Sequence, residues 1–182
     1  MGWDTTMIAL DSNVMTFWID AMSSVSGPPA EPCSAEKVAL ARIYFWMPDE
    51  SGFHLTPTVQ KEYEAIQQRA KRENHESWHM VHISPVNPPP CVAAVTKRAE
   101  ELVPYHKGAH DRRILAECEQ SEIETLLTAD DRFLRNLGPR ADGVRICLPS
   151  QYWAAMQIEP GTKPNRPPHN IHPLSQVDWW NW

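Results

Sequence analysis

Cysteine is scarce and scattered: Cys33, Cys91, Cys118 and Cys147 are the whole complement, and successive ones lie at least 27 residues apart. With no C-x-x-C and no Cys/His pair at finger spacing, the pattern argues against a structural zinc site and a small disulfide scaffold. It fits free thiols of a reducing compartment. Long apolar runs are missing as well. No segment approaches the roughly 18 residues of a membrane span, and MGWDTTMIAL lacks a basic region followed by a long apolar stretch. The expectation is a soluble, cytoplasmic protein that does not engage membrane.

Basic residues do not predominate either. There are 17 Lys and Arg against 23 Asp and Glu, a formal charge of −6, whereas phosphate binding usually leaves a basic footprint. What is present in excess is proline, 17 residues, and tryptophan, 8 residues, both concentrated in linkers and at the C-terminus. At 182 residues and 42% hydrophobic the chain can bury one full core.

Strands and helices alternate along the sequence. Met7 to Leu10 is a short apolar strand ending at Asp11, after which Val14, Phe17, Trp18 and Ala21 repeat at helical spacing. A composition-defined loop, SSVSGPPAEP, precedes a helix over 34–46, and 53–55 reads as a strand. Thr56-Pro57 is a helix start, with the helix continuing through KEYEAIQQRAKRE. A strand is expected over 78–83, helices over 91–103 and 109–120, a strand over 123–127, a short helix over 131–137, a strand over 144–148 and a helix over 150–156. Such alternation implies a mostly parallel sheet covered on both faces, with ligands beyond the carboxyl ends of the strands.

Four acids stand where the chain changes character: Asp11 in IALDSNVMTF, Glu62 in LTPTVQKEYEAI, Asp111 in HDRRILAEC and Asp130 in LLTADDRFLRN. Carboxylates gathered at one sheet edge need a cation to stay ionised together, and hard oxygen donors select Mg²⁺ or Mn²⁺. Setting these four aside, 23 acids become 19 against 17 bases, a balance of about −2. Lys71, Arg72, Lys97, Arg98, Lys107, Arg112 and Arg113 are then the candidates for a local positive patch, or simply a solvated helix face.

The ordered set LDSNV, PTVQKEY, HDRRILAE and LLTADDRFL resembles the PIN-domain family, and within it the VapC-type toxin ribonucleases, over about 7–156. The resemblance implies a three-layer α/β/α sandwich around a parallel sheet and metal-dependent RNA cleavage by Asp11, Glu62, Asp111 and Asp130. Asp11 and Asp111 are expected as central Mg²⁺ or Mn²⁺ ligands, Asp130 as a further ligand or water-mediated contact, and Glu62 as a ligand or a holder of the attacking water. Ser12, Asn13 and Thr128 flank the acids and are expected to orient them or to cap helices. The resemblance also implies an RNA substrate, a homodimer and an antitoxin partner. No helix-turn-helix signature is present here, so promoter binding would fall to that partner.

Each acid has an ordinary alternative as a helix cap or a macrodipole-favouring residue. The family often carries a further acid two positions after the fourth, where this chain has Arg132. Glu117, on the same helix as Asp111 but roughly 240° round it, is expected on the surface. His75, His79 and His82 show three-four spacing that the expected helix-to-strand break would disrupt, and His106 or His110 stand ready to contact phosphate. The division is a nuclease-like body over 1–158 and an extended tail over 159–182 whose Trp179, Trp180 and Trp182 pack on the chain itself, on a second subunit or on bases. A PIN-like scaffold that binds RNA or protein without cleaving, and a metal-dependent nuclease acting on DNA, are the alternative functions.

Overall fold

The computed structural model describes residues 7–22, 34–49, 51–121, 123–169 and 173–182. Its centre is a five-stranded, all-parallel sheet in the order β3-β2-β1-β4-β5, built from β1 (Met7–Leu10), β2 (Gly52–Leu55), β3 (Ile83–Pro85), β4 (Thr125–Leu127) and β5 (Arg145–Cys147). Ile8, Ala9, Leu10, Leu126 and Leu127 are all at most 1% exposed, as a parallel sheet covered on both faces requires. The helices are α1 (Ser12–Met22), α2 (Ala35–Trp46), α3 (Pro57–Glu64), α4 (Arg69–His82), α5 (Val92–Glu101), α6 (Ala109–Gln120), α7 (Asp131–Leu137) and α8 (Pro149–Ala155). The chain runs outward from β1 to β3 and then returns past β1 to β4 and β5. Right-handed crossovers therefore put the helices of the two halves on opposite faces. The three-layer α/β/α sandwich expected from the sequence is the fold observed.

Between 56 and 83 the structure departs from the sequence reading. The single helix expected from Thr56 is two, α3 and α4, and the strand expected over 78–83 shrinks to β3, because 78–82 belong to α4. Thr56 does cap α3, accepting from the Val59 amide, with Pro57 at the first helical position. The break is held from both sides: Ile66 N–H bonds the Tyr63 carbonyl, Gln67 caps the Ala65 carbonyl, and Arg72 reaches back to the Ile66 carbonyl at 3.1 Å. These contacts satisfy carbonyls that the end of a helix leaves open.

The histidine spacing, expected to be lost, survives, because α4 is helical throughout. It serves packing. His75 Nδ1 donates to the Lys71 carbonyl and its Nε2 accepts from Thr16, while His79 and His82 meet the hydroxyls of Tyr63 and Tyr44. Trp78 lies edge-on to the buried Trp18 at 5.2 Å. Burial holds His54, His75, His79 and His82 below the ordinary 6.5. The unfolded chain thus takes up protons first, and the stability of the neutral rings is lost as pH falls below about 6.5. Wild type should therefore lose more melting temperature than His79→Gln/His82→Gln between about pH 7.5 and about pH 5.5. Parallel losses in the two proteins would contradict the assignment.

The tail packs on the chain itself. Trp180 is 5% exposed and sits against Phe45 and Trp46 of α2. Arg42 donates to the carbonyls of Trp179, Trp180 and Asn181, and its guanidinium lies over the Trp182 ring. Where α2 ends, Asn165 bonds the Trp46 and Met47 carbonyls and Arg166 those of Pro48, Asp49 and Ser51. A cation at a helix C-terminus also opposes the macrodipole. Among the described residues no helix is long and apolar enough to cross a membrane.

Candidate active site at the carboxyl edge of the sheet

Asp11 directly follows β1, and its amide donates to the Leu127 carbonyl at the end of β4. It thus stands where the strand order changes direction, the crevice in which open parallel sheets bind ligands. Asp11 is 3% exposed. The Ser12 amide donates to its Oδ1 at 2.8 Å and Thr128 Oγ1 to its Oδ2 at 2.9 Å. Burial nevertheless pushes its carboxyl up to about 6, against the two hydrogen bonds and with smaller pushes from Asp111 and Glu62. Glu62 of α3 and Asp111 of α6 thus lie near enough for their charge to reach Asp11, which follows β1.

Glu62, not Glu64, is the acid of α3 that faces the crevice. Glu64 is exposed and held by Gln60. Glu62 Oε1 accepts from His110 Nδ1 at 2.5 Å, while its Oε2 is buried without a partner. Asp111 Oδ2 accepts from His106 Nε2 at 2.5 Å. Asp130 caps α7, its Oδ1 accepting from the amides of Arg132 and Phe133 at 2.7 and 3.1 Å. It joins the group through Thr128, whose hydroxyl accepts from the Asp130 amide at 3.1 Å while donating to Asp11. Thr128 therefore orients one acid and links it to another. Ser12 orients Asp11, and Asn13 is exposed in the first turn of α1.

The sequence left His106 or His110 open as a contact to substrate phosphate. The structure gives them to Asp111 and Glu62. The only signal for this was their closeness in sequence to Asp111.

Two clefts flank the acids. One of about 690 Å³ is lined by Ser12, Thr58, Lys61, Glu62, His110 and Arg113. The other, of about 190 Å³, brings Asp111 and Asp130 together with His106, Lys107 and Arg132. Of the candidate basic patch, Arg113 and Lys107 line these clefts and Lys71 a smaller one beside Glu62. Arg72, Arg98 and Arg112 are spent on internal contacts with Glu76, Glu119 and the His106 and Lys107 carbonyls.

Glu117 is a correction. It is 2% exposed, because α6 is sandwiched between α5 and α3 and buries Ile114 to Cys118 all round. Its oxygens accept from the Thr58 amide at 2.9 Å and the Thr58 hydroxyl at 2.8 Å. Arg113, one turn earlier on α6, lies 3.4 Å away. Glu117 thereby fastens the start of α3, which carries Glu62, to the helix that carries Asp111. Glu117→Ala strands two buried donors and should cost about 2–3 kcal/mol in urea unfolding. A loss below about 0.5 kcal/mol would contradict the role.

Among the described residues no three His, Cys, Asp or Glu side chains converge as a ready ligand set. Each acid is held by a neighbour: Asp11 by Ser12 and Thr128, Glu62 by His110, Asp111 by His106 and Asp130 by backbone amides. The donors nonetheless fit a hard divalent cation. They are all carboxylate oxygens, Asp111 and Glu62 both disfavour an ionised Asp11, and Glu62 Oε2 is buried without a hydrogen-bond partner.

No protein-family model matches the chain, and no curated protein matches it either. Among solved structures it is similar to a chain of VapBC2 from Rickettsia felis, determined bound to a DNA fragment from the promoter of these proteins. The similarity has a TM-score of 0.52 at 11% identity, over 79% of this chain and 98% of that one. At that identity the likeness is one of fold, and it agrees with the parallel α/β/α sandwich seen here.

Proposed function

We propose that the protein is a metal-dependent ribonuclease of the PIN type, with Asp11, Glu62, Asp111 and Asp130 as its site. The supporting observation is that buried Asp11 stands at the strand-order switch within electrostatic reach of Glu62 and Asp111, with one Glu62 oxygen buried and without a hydrogen-bond partner. Asp11, Asp111 and Glu62 would hold Mg²⁺ or Mn²⁺, with Asp130 as a further or water-mediated donor. A cation bound there supplies charge stabilisation at the phosphoryl group and acidifies an attacking water. The rest of the work falls to the chain. Ser12 and Thr128 fix the Asp11 carboxyl, so its oxygens need not reorganise when charge develops. Lys61 and Arg113 line the larger cleft and hold the flanking phosphates of an extended strand. Glu117 keeps Arg113 and α3 in place for that task.

The solved VapBC2 neighbour supports placing the chain in a toxin-antitoxin pair; a cytoplasmic location, a homodimer and an antitoxin that closes the acidic crevice extend that reading from the sequence resemblance. One observation favours a second reading, a scaffold that binds without cleaving: each of Glu62, Asp111 and Asp130 already has a partner within the chain. Incubating matched single-stranded RNA and DNA with the protein in Mn²⁺, with and without chelator, separates the possibilities. Cleavage of RNA alone, abolished by chelator, is the expected result. Binding of RNA without cleavage would favour the scaffold, and cutting of DNA the DNA nuclease.

A further inference from the structure

The 105–108 loop turns back on α6 so that His106, 3% exposed, is buried against Asp111, Asn136 of α7 and the ring of Phe133. Asn136 offers its Nδ2 amide to His106 Nδ1 at 3.2 Å. An amide nitrogen only donates, so Nδ1 accepts and the ring hydrogen sits on Nε2, aimed at Asp111 Oδ2. Two further features hold this arrangement. Arg112 staples the loop by donating to the His106 and Lys107 carbonyls at 2.7 and 3.1 Å. At Gly108 a Cβ would fall inside the contact shell of both Asp111 Oδ2 and His106 Nε2, so only glycine permits the close approach.

We infer that His106 and Asn136 form a positioning pair for Asp111: Asn136 fixes the His106 tautomer, and the Nε2–H occupies one Asp111 oxygen so that the other is presented to the cation. The inference rests on the metal-site reading above and assigns residues outside its four acids. Ligand carboxylates of metal sites are commonly oriented in this way, and loss of such a partner costs about tenfold to a hundredfold in metal affinity. His106 touches neither cation nor substrate and acts through Asp111.

The test measures Mn²⁺ affinity by electron paramagnetic resonance for wild type, His106→Leu, His106→Gln and Asn136→Leu, with melting temperature recorded for each. A long-range ¹H–¹⁵N spectrum of the metal-free wild type reports the tautomer. Expected are an Nε2–H His106, affinity lowered about tenfold or more in His106→Leu, and recovery to within about threefold in His106→Gln, whose amide can still donate. Asn136→Leu should mix the tautomers and weaken binding to a smaller extent, which keeps the inference testable should His106→Leu fail to fold. Unchanged affinity in the variants beside a wild type that binds Mn²⁺ overturns the positioning role alone, as does an Nδ1–H tautomer. A purely structural role would lower melting temperature without moving affinity, and that too overturns it. A wild type that binds no Mn²⁺ overturns the metal-site reading and this inference with it.

Discussion

Asp11→Asn is expected to abolish RNA cleavage and at the same time to stabilise the metal-free protein. Burial carries the Asp11 carboxyl from its ordinary 3.8 to about 6, so ionising it at neutral pH opposes folding by about 3 kcal/mol. The sign follows from the direction of the change. The folded chain holds its proton more tightly, so this residue's contribution is fully present below 3.8 and is lost as pH rises through about 6. An Asn can still accept from the Ser12 amide and present its own amide to the Thr128 hydroxyl. The gain should therefore survive in part, about 1–3 kcal/mol above pH 6, vanishing toward pH 4. Chemical unfolding of both proteins across that range measures it. Activity should fall by at least about a thousandfold if the residue holds the cation. A destabilised Asp11→Asn would mean that its hydrogen bonds outweigh its desolvation, and the account of a site held under electrostatic strain would fail.

Trp180→Ala is expected to cost about 3–5 kcal/mol, the range for emptying a buried aromatic site. The indole is 5% exposed and 4.9 Å from the Phe45 ring, and its Nε1 donates to the Leu174 carbonyl at 2.6 Å. Loss of the ring also loosens the strand of tail that Arg42 grips, and with it the carbonyls at the end of α2 that Asn165 and Arg166 satisfy. Truncation after Glu159 should for the same reason lower stability without changing the number of subunits in the native particle. Urea unfolding and light scattering check the two expectations. Full stability of Trp180→Ala together with weakened RNA binding would instead put the tail on bases.

The order of strands and helices was legible because each strand is a short apolar run and most helices carry an ordinary start signal. Asp11 and Asp130 were placed by strand ends, and Glu62, rather than Glu64, by the family resemblance. The failures have physical causes. Residues 78–82 alternate well enough to read as a strand, yet His75, Trp78, His79 and His82 also form a helical stripe, and packing on Trp18 and two tyrosines decides between them. That packing is invisible to local pattern. Glu117 was assigned by rotation from Asp111, an argument that presumes a helix with one solvent face, whereas α6 is covered by α3 and α5. The pairing of His106 with Asp111 depends on a loop reversal and on Gly108, and that of His110 with Glu62 on contact between residues 48 apart in sequence.

The most direct test of the central claim is the rate of RNA cleavage in Mn²⁺ by wild type beside Asp111→Asn, with circular dichroism establishing that both are folded. Metal-dependent cleavage by wild type and a loss of at least about a thousandfold in the variant are expected. Equal rates in the two proteins, or tight RNA binding with no cleavage by either, would contradict the claim and leave the acids as helix caps and loop anchors.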